Sequence, residues 1–128
     1  LVEMGELANE TRCFKFWSIK PASSKDVILE EYVDALHFVL SIGLEAGFRD
    51  QVRLNTSGTD RERDLTEAFL AVFDRIAAFA QKQDLAAYLA MFEALLELGE
   101  ALGFSWDEIE QAYLRKNEVN HLRQESGY

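Results

Sequence analysis

Apolar residues recur along this chain at intervals of three and four, the spacing that brings side chains onto one face of a helix. That pattern predicts five helices. The first runs from about Leu1 to Arg12, with Leu1, Met4, Leu7 and Ala8 on one side, and leads into the aromatic stretch Phe14-Lys15-Phe16-Trp17. A loop from Ser18 to Ser24, holding the only proline (Pro21), separates it from the second. The second spans roughly Lys25 to Ala46 and carries Ile28, Leu29, Tyr32, Val33, Leu36, Val39 and Leu40 on its apolar face. Ser23 and Asp26 are spaced as a loose capping box at its start, and Gly47 is placed to cap its end.

The polar, turn-rich stretch from Phe48 to Gly58 reads as a mobile loop. Thr59-Asp60-Arg61-Glu62 then reads as a capping box opening a third helix that reaches about Gln81, with Leu65, Phe69, Val72, Phe73, Ile76 and Phe79 as its buried stripe. A fourth, from about Asp84 to Leu102, carries Leu85, Leu89, Phe92, Leu95, Leu96 and Leu102 and closes at Gly103. Ser105-Trp106-Asp107-Glu108 opens the fifth with another capping box. No stretch alternates with period two, no hairpin signal occurs, and no internal repeat or low-complexity tract is apparent. The expected fold is therefore an all-α helix bundle with short connections, one domain over residues 1–128. Nothing of capping type precedes Leu1, and the chain has no initiator methionine, so further residues are expected upstream.

Charge and composition narrow the function. With 23 acidic and 13 basic residues the net charge is -10, which repels polyphosphate backbones and argues against a nucleic-acid partner. One cysteine (Cys13) and two histidines exclude a disulfide framework and a Cys/His-rich metal cluster. No apolar run reaches the ~20 residues of a membrane span, so no membrane partner is expected, and the expected location is cytoplasmic.

Within this acidic chain, two carboxylate pairs have helical spacing. Glu3-x-x-Glu6 sits on the first helix and Glu31-x-x-Asp34 on the second, each pair on neighbouring turns of one face. Packed together, the helices could aim four oxygen ligands at one point, where the carboxylates would repel one another unless cations neutralised them. Hard ligands of this kind suit Mg²⁺ or Mn²⁺. The same spacing also arises on any solvated acidic face. The apolar neighbours Ile28, Tyr32 and Leu36 favour the metal reading, and Glu10 and Glu30 are either supporting acids or surface. In the last helix Lys116, Asn120 and Arg123 share one face, with Asn117 three residues before Asn120. That strip of cations and amides suits a polyphosphate, though cations also complement a helix C-terminus. The aromatics around Lys15 and the lone His37 are equally consistent with core packing.

Taken in order, these segments resemble the all-α dimeric dUTPases, which belong with the MazG-type nucleotide pyrophosphatases. The matching pieces are Glu3-x-x-Glu6 with Lys15-Phe16-Trp17, then Glu31-x-x-Asp34-x-x-His37-Phe38, and finally Lys116-Asn117-x-x-Asn120-x-x-Arg123-Gln124-x-x-Gly127-Tyr128. The resemblance implies a Mg²⁺-dependent enzyme (with Mn²⁺ as the alternative ion) that hydrolyses dUTP to dUMP and pyrophosphate as a homodimer. It implies that Glu3, Glu6, Glu31 and Asp34 hold the metal, with Glu6 as the base. Lys116, Asn117, Asn120 and Arg123 would meet the phosphates, with Lys15, Trp17 and Tyr128 nearby, and His37 and Phe38 would lie against the base or deoxyribose. The abundance of Phe69, Phe73, Phe79, Phe92 and neighbouring leucines suggests apolar surface left over for a dimer interface. The alternatives are a broader MazG-like nucleotide pyrophosphatase and a non-catalytic phage-type interaction protein.

Overall fold

The computed structural model describes residues 2–11, 13, 23–48 and 64–125, with side chains in the last helix described as far as residue 118. Five helices follow in order: α1 (Val2–Thr11), α2 (Lys25–Ala46), α3 (Leu65–Gln81), α4 (Leu85–Ala101) and α5 (Trp106–Glu125). No strand occurs among the described residues, and the chain is all-α as expected. The expected mobile loop lies outside the described residues beyond Phe48, as does the Thr59–Glu62 capping box.

Local chemistry sets the helix ends. Gly47 and Gly103 adopt left-handed φ angles of 80° and 84°, and the next amides turn back, Phe48 N–H to the Gly43 carbonyl at 2.8 Å and Phe104 N–H to that of Gly99 at 3.2 Å. At α5 the capping box forms reciprocally: Ser105 N–H donates to Glu108 Oε1 at 3.1 Å, and Glu108 N–H donates to Ser105 Oγ at 3.2 Å. Asp84 caps α4 by accepting the Ala87 N–H at 2.8 Å. The described part of α3 begins at Leu65, after Asp64, whose ψ of 132° is not helical. One expectation fails: the loose box at α2 does not form, since Ser24 is the cap residue without a side-chain bond and the Ser23 hydroxyl goes to the Glu10 carboxylate instead.

Helix α2 is central: it packs against α1 on one side and α5 on the other, and crosses α4 across the core, while α3 and α4 form the most extensive pair. The α2–α4 crossing is held by a reciprocal lock. Tyr32 of α2 is fully buried and donates its hydroxyl to the Leu95 carbonyl of α4 at 2.8 Å, while Tyr88 of α4 donates to the Val39 carbonyl of α2 at 2.9 Å. Each phenol lies over a glycine one turn past the accepting carbonyl, Gly99 under Tyr32 and Gly43 under Tyr88. Tyr32, Val39 and Gly43 thus have the same spacing as Tyr88, Leu95 and Gly99, an internal repeat that the sequence analysis missed. Burial raises the pKa of both phenols. The antiparallel crossing fixes both the rotation and the register of α2.

The core includes Leu7, Val33, Phe69, Val72, Phe92 and Leu98 around the two tyrosines. Phe69, Phe79 and Phe92 are buried within the chain and Phe73 packs against the core, so these phenylalanines do not supply the surplus apolar surface expected of them.

An added methyl at Gly43 or Gly99 would collide with a phenol that is buried and hydrogen-bonded and has no room to yield. Gly43→Ala and Gly99→Ala are each expected to destabilise the chain by about 1–3 kcal/mol. Helix propensity alone would favour alanine by about 1 kcal/mol. Gly5, in α1 with open space around it, is expected to follow propensity and gain stability as alanine. Urea unfolding midpoints of the three variants check this, and a stabilised Gly43→Ala or Gly99→Ala would contradict the lock.

Candidate functional site

The burial of Met4, Leu7, Ala8 and Thr11 seats α1, and Glu3 and Glu6 then run along the edge of that buried stripe, one turn apart. On α2 the buried residues Leu29, Tyr32, Val33, Leu36 and Val39 define the inner face. At about 100° per residue, the remaining arc presents Glu31, Phe38, Asp34, Glu30 and His37 in angular order. Glu31 and Phe38 therefore fall toward α1, Glu30 and His37 toward α5, and Asp34 between the two sides.

The contacts follow that order. Glu31 meets Glu3 and Glu6, and one carboxylate oxygen from each of the three lies within 4.8 Å of the others. Glu3 and Glu31 are half-buried and Glu6 is exposed. Oxygen Oε2 of Glu31 is buried without a hydrogen-bond partner. Burial, together with the charges of Asp34, Glu6 and Glu3, pushes the Glu31 carboxyl up to about 7. Glu3 is also raised, first by burial and then by Glu6 and Asp34. Asp34 is placed differently from the other three: its Oδ1 is 3.3 Å from the Lys116 ammonium, which also lies 3.3 Å from Glu30 Oε1. Partial burial acts to lower the Lys116 pKa, but Asp34 and Glu30 outweigh it and the net shift is upward.

These residues fit a divalent cation. Hard oxygen donors of three carboxylates from two helices converge, and Glu31, one of the three, holds an oxygen that has lost water without gaining a donor, a loss that a metal–oxygen bond would offset. Helical spacing predicts four convergent ligands; the structure brings three together and leaves Asp34 one turn away, paired with a lysine.

Of the expected nucleotide contacts, Lys116 faces the carboxylate side of α2, and Asn117 is exposed on α5. The α5 backbone stays helical through Asn120 and Arg123, which keeps them in register with Lys116, but their side chains lie outside the described set, as do Lys15, Trp17 and Tyr128. His37 and Phe38 diverge. His37 Nδ1 is 3.2 Å from the Tyr113 hydroxyl of α5, with the rings edge to face. Phe38 is 61% exposed and lines a cavity of about 370 Å³ together with Glu3, Val2, Ile76, Phe79 and Gln83. Sequence reasoning gave no role to Tyr113 or Gln83 and left Glu30 undecided; Glu30 could have been recognised by its four-residue spacing from Asp34. Glu10, considered as a supporting acid, contacts Ser23 at the far end of α1. Cys13 is a free, half-buried thiol beside the core.

A family model described as dUTPase matches residues 1–128. The chain belongs to the all-α dUTPase family. The comparisons with curated proteins and with solved structures each gave no match. The dUTPase family comprises hydrolases acting on nucleoside triphosphates, which generally use a divalent metal, and the convergent carboxylates of α1 and α2 are in keeping with that chemistry. No helix among the described residues is long and apolar enough to cross a membrane.

A raised carboxyl has a stability consequence whose sign is definite. Between about 4.5 and about 7 the folded chain keeps a proton on Glu31 that the unfolded chain has released. Stability of the metal-free protein is therefore expected to fall as pH rises through that window. Glu31→Gln removes the titration, so it is expected to gain stability relative to the parent at pH 8 and to lose most of that gain at pH 5. Denaturant unfolding at both pH values checks this; an equal effect at both would contradict it.

Proposed function

We propose that this chain is a divalent-metal-dependent dUTP diphosphatase, cleaving dUTP with water to give dUMP and pyrophosphate. The observation that supports this reading is the convergence of the Glu3, Glu6 and Glu31 carboxylates, the last of which holds a buried, unpartnered oxygen. Glu3, Glu6, Glu31 and, once released from Lys116, Asp34 would hold Mg²⁺, with Mn²⁺ as the alternative. The ion would neutralise phosphate oxygens and make a water more acidic.

The chain's own groups supply the remaining steps. Glu6, the most exposed of the three convergent carboxylates, accepts the proton of the attacking water as the new P–O bond forms and the α–β phosphoanhydride bond breaks. Lys116 turns its ammonium from Asp34 toward the phosphates and stabilises the charge that builds on the leaving pyrophosphate. Asn117, Asn120 and Arg123 extend that binding strip along α5, and Lys15, Trp17 and Tyr128 join it by resemblance to the family. Phe38, exposed beside Glu3, offers its ring to the deoxyribose or base. His37 approaches the nucleotide from the α5 side, with its ring oriented by Tyr113. The proposal includes one domain over residues 1–128, a homodimer and a cytoplasmic location.

One observation favours a second reading, a pyrophosphatase of broader deoxynucleotide range. The cavity beside Phe38 is lined by apolar side chains, with Gln83 and Glu3 as its polar groups. Sharp rejection of a wrong base needs buried groups that hydrogen-bond the right one.

The test is incubation with Mg²⁺ and, separately, dUTP, dTTP, dCTP and UTP, with products resolved as pyrophosphate or orthophosphate. Pyrophosphate is expected from dUTP alone. Glu31→Gln is expected to lose more than about 100-fold in kcat/KM, since even groups that only orient metal ligands are worth 10–100-fold. Release from several nucleotides would favour the broader reading, and no turnover would overturn both.

A further inference from the structure

The arc of α2 that faces α5 holds a feature that metal binding and phosphate binding do not by themselves require. The Lys116 ammonium sits 3.3 Å from two carboxylates at once, Asp34 and Glu30, which are one turn apart on α2. The two partners are unlike: the Asp34 side chain is 25% exposed and next to Glu31, while that of Glu30 is 62% exposed and on the far side from α1. The Lys116 side chain is 20% exposed, so its ammonium is partly desolvated and is stabilised by both carboxylates.

We propose that Glu30 is a positioning residue for Lys116, retaining its ammonium when Asp34 leaves it for a divalent ion, and that Lys116 occupies Asp34 until then. This rests on the metal reading above and adds to it an exchange of partners. The Lys116 ammonium at Asp34 Oδ1 and an ion seated with Glu31 would both draw on the one Asp34 carboxylate, and their like charges repel, so the two cations compete for it. If Lys116 had Asp34 alone, the competition would be settled against the metal by the cost of leaving a partly buried ammonium unpaired. With Glu30 one turn away the ammonium keeps a carboxylate partner throughout. It also stays at the α2–α5 seam, within a side chain's swing of wherever phosphates meet the ion. Among the described residues Glu30 belongs to no group of convergent carboxylates.

The exchange makes a prediction for metal affinity in the absence of nucleotide, measured by calorimetric titration of Mn²⁺ or Mg²⁺ alone into the unaltered chain and three variants. Lys116→Met is expected to bind the ion several-fold more tightly, because Asp34 is freed. Glu30→Gln is expected to bind it several-fold more weakly, because Lys116 then has no partner but Asp34. The double variant decides the matter: with Lys116 absent, Glu30→Gln is expected to change affinity no further. An undiminished loss on adding Glu30→Gln to Lys116→Met would overturn the inference, since Glu30 would then act on the ion directly. Unchanged affinity in Lys116→Met would also overturn it while leaving the metal site standing. No binding by the unaltered chain would overturn the inference together with the metal reading beneath it. Lys116→Gln serves the same purpose should the methionine variant not fold.

Discussion

Three carboxylates with one oxygen each inside 4.8 Å of the others, and with Oε2 of Glu31 buried without a hydrogen-bond partner, are a costly thing for a small helical protein to hold together. They stay together because the apolar packing around them leaves no alternative. Met4, Leu7 and Ala8 hold α1 down, and Glu3 and Glu6 must then border α2. Burial first, and then the charges of Asp34, Glu6 and Glu3, favour the protonated form of Glu31 in the metal-free chain, and that proton relieves part of the repulsion. A divalent ion would relieve it more completely.

The rotation of α2 governs everything else in the site. Its inner face is locked to α4 by Tyr32 and Tyr88, each donating to a carbonyl of the opposite helix and seated where a glycine makes room. Those contacts lie on the side of α2 away from the carboxylates, yet they decide which way Glu31, Asp34 and Glu30 point. From that rotation it follows that Phe38 lines the cavity beside Glu3 while His37 meets Tyr113, and that Asp34 lies between two sets of partners. A helix turned by one residue position would exchange these assignments.

Much of this was legible in the residues, and the parts that were share one property: they depend on near neighbours in the chain. The Ser105–Glu108 cap, the glycine at 47 and the α3 stripe are local patterns, and so is the placement of each acidic pair on a single helical face. What was not legible depends on how two helices meet. Spacing shows that Glu31 and Asp34 share a face but not that one reaches α1 and the other a lysine of α5. The Tyr–Gly interlock was missed because its repeat consists of two residues eleven apart inside otherwise ordinary helices. Ser23 was misassigned because a hydroxyl next to a helix start has competing partners, and the Glu10 carboxylate from the preceding helix prevailed.

The central claim is that Glu3, Glu6 and Glu31 form a seat for a divalent ion, and locating the ion tests it most directly. Crystals grown or soaked with Mn²⁺ and measured for anomalous scattering would show where it binds without reference to activity. A single strong peak is expected between α1 and α2, with oxygens of all three carboxylates a little over about 2 Å from it and the buried Oε2 of Glu31 among them. A peak bonded to Glu6 and solvent alone, or no peak at the α1–α2 seam, would contradict the account.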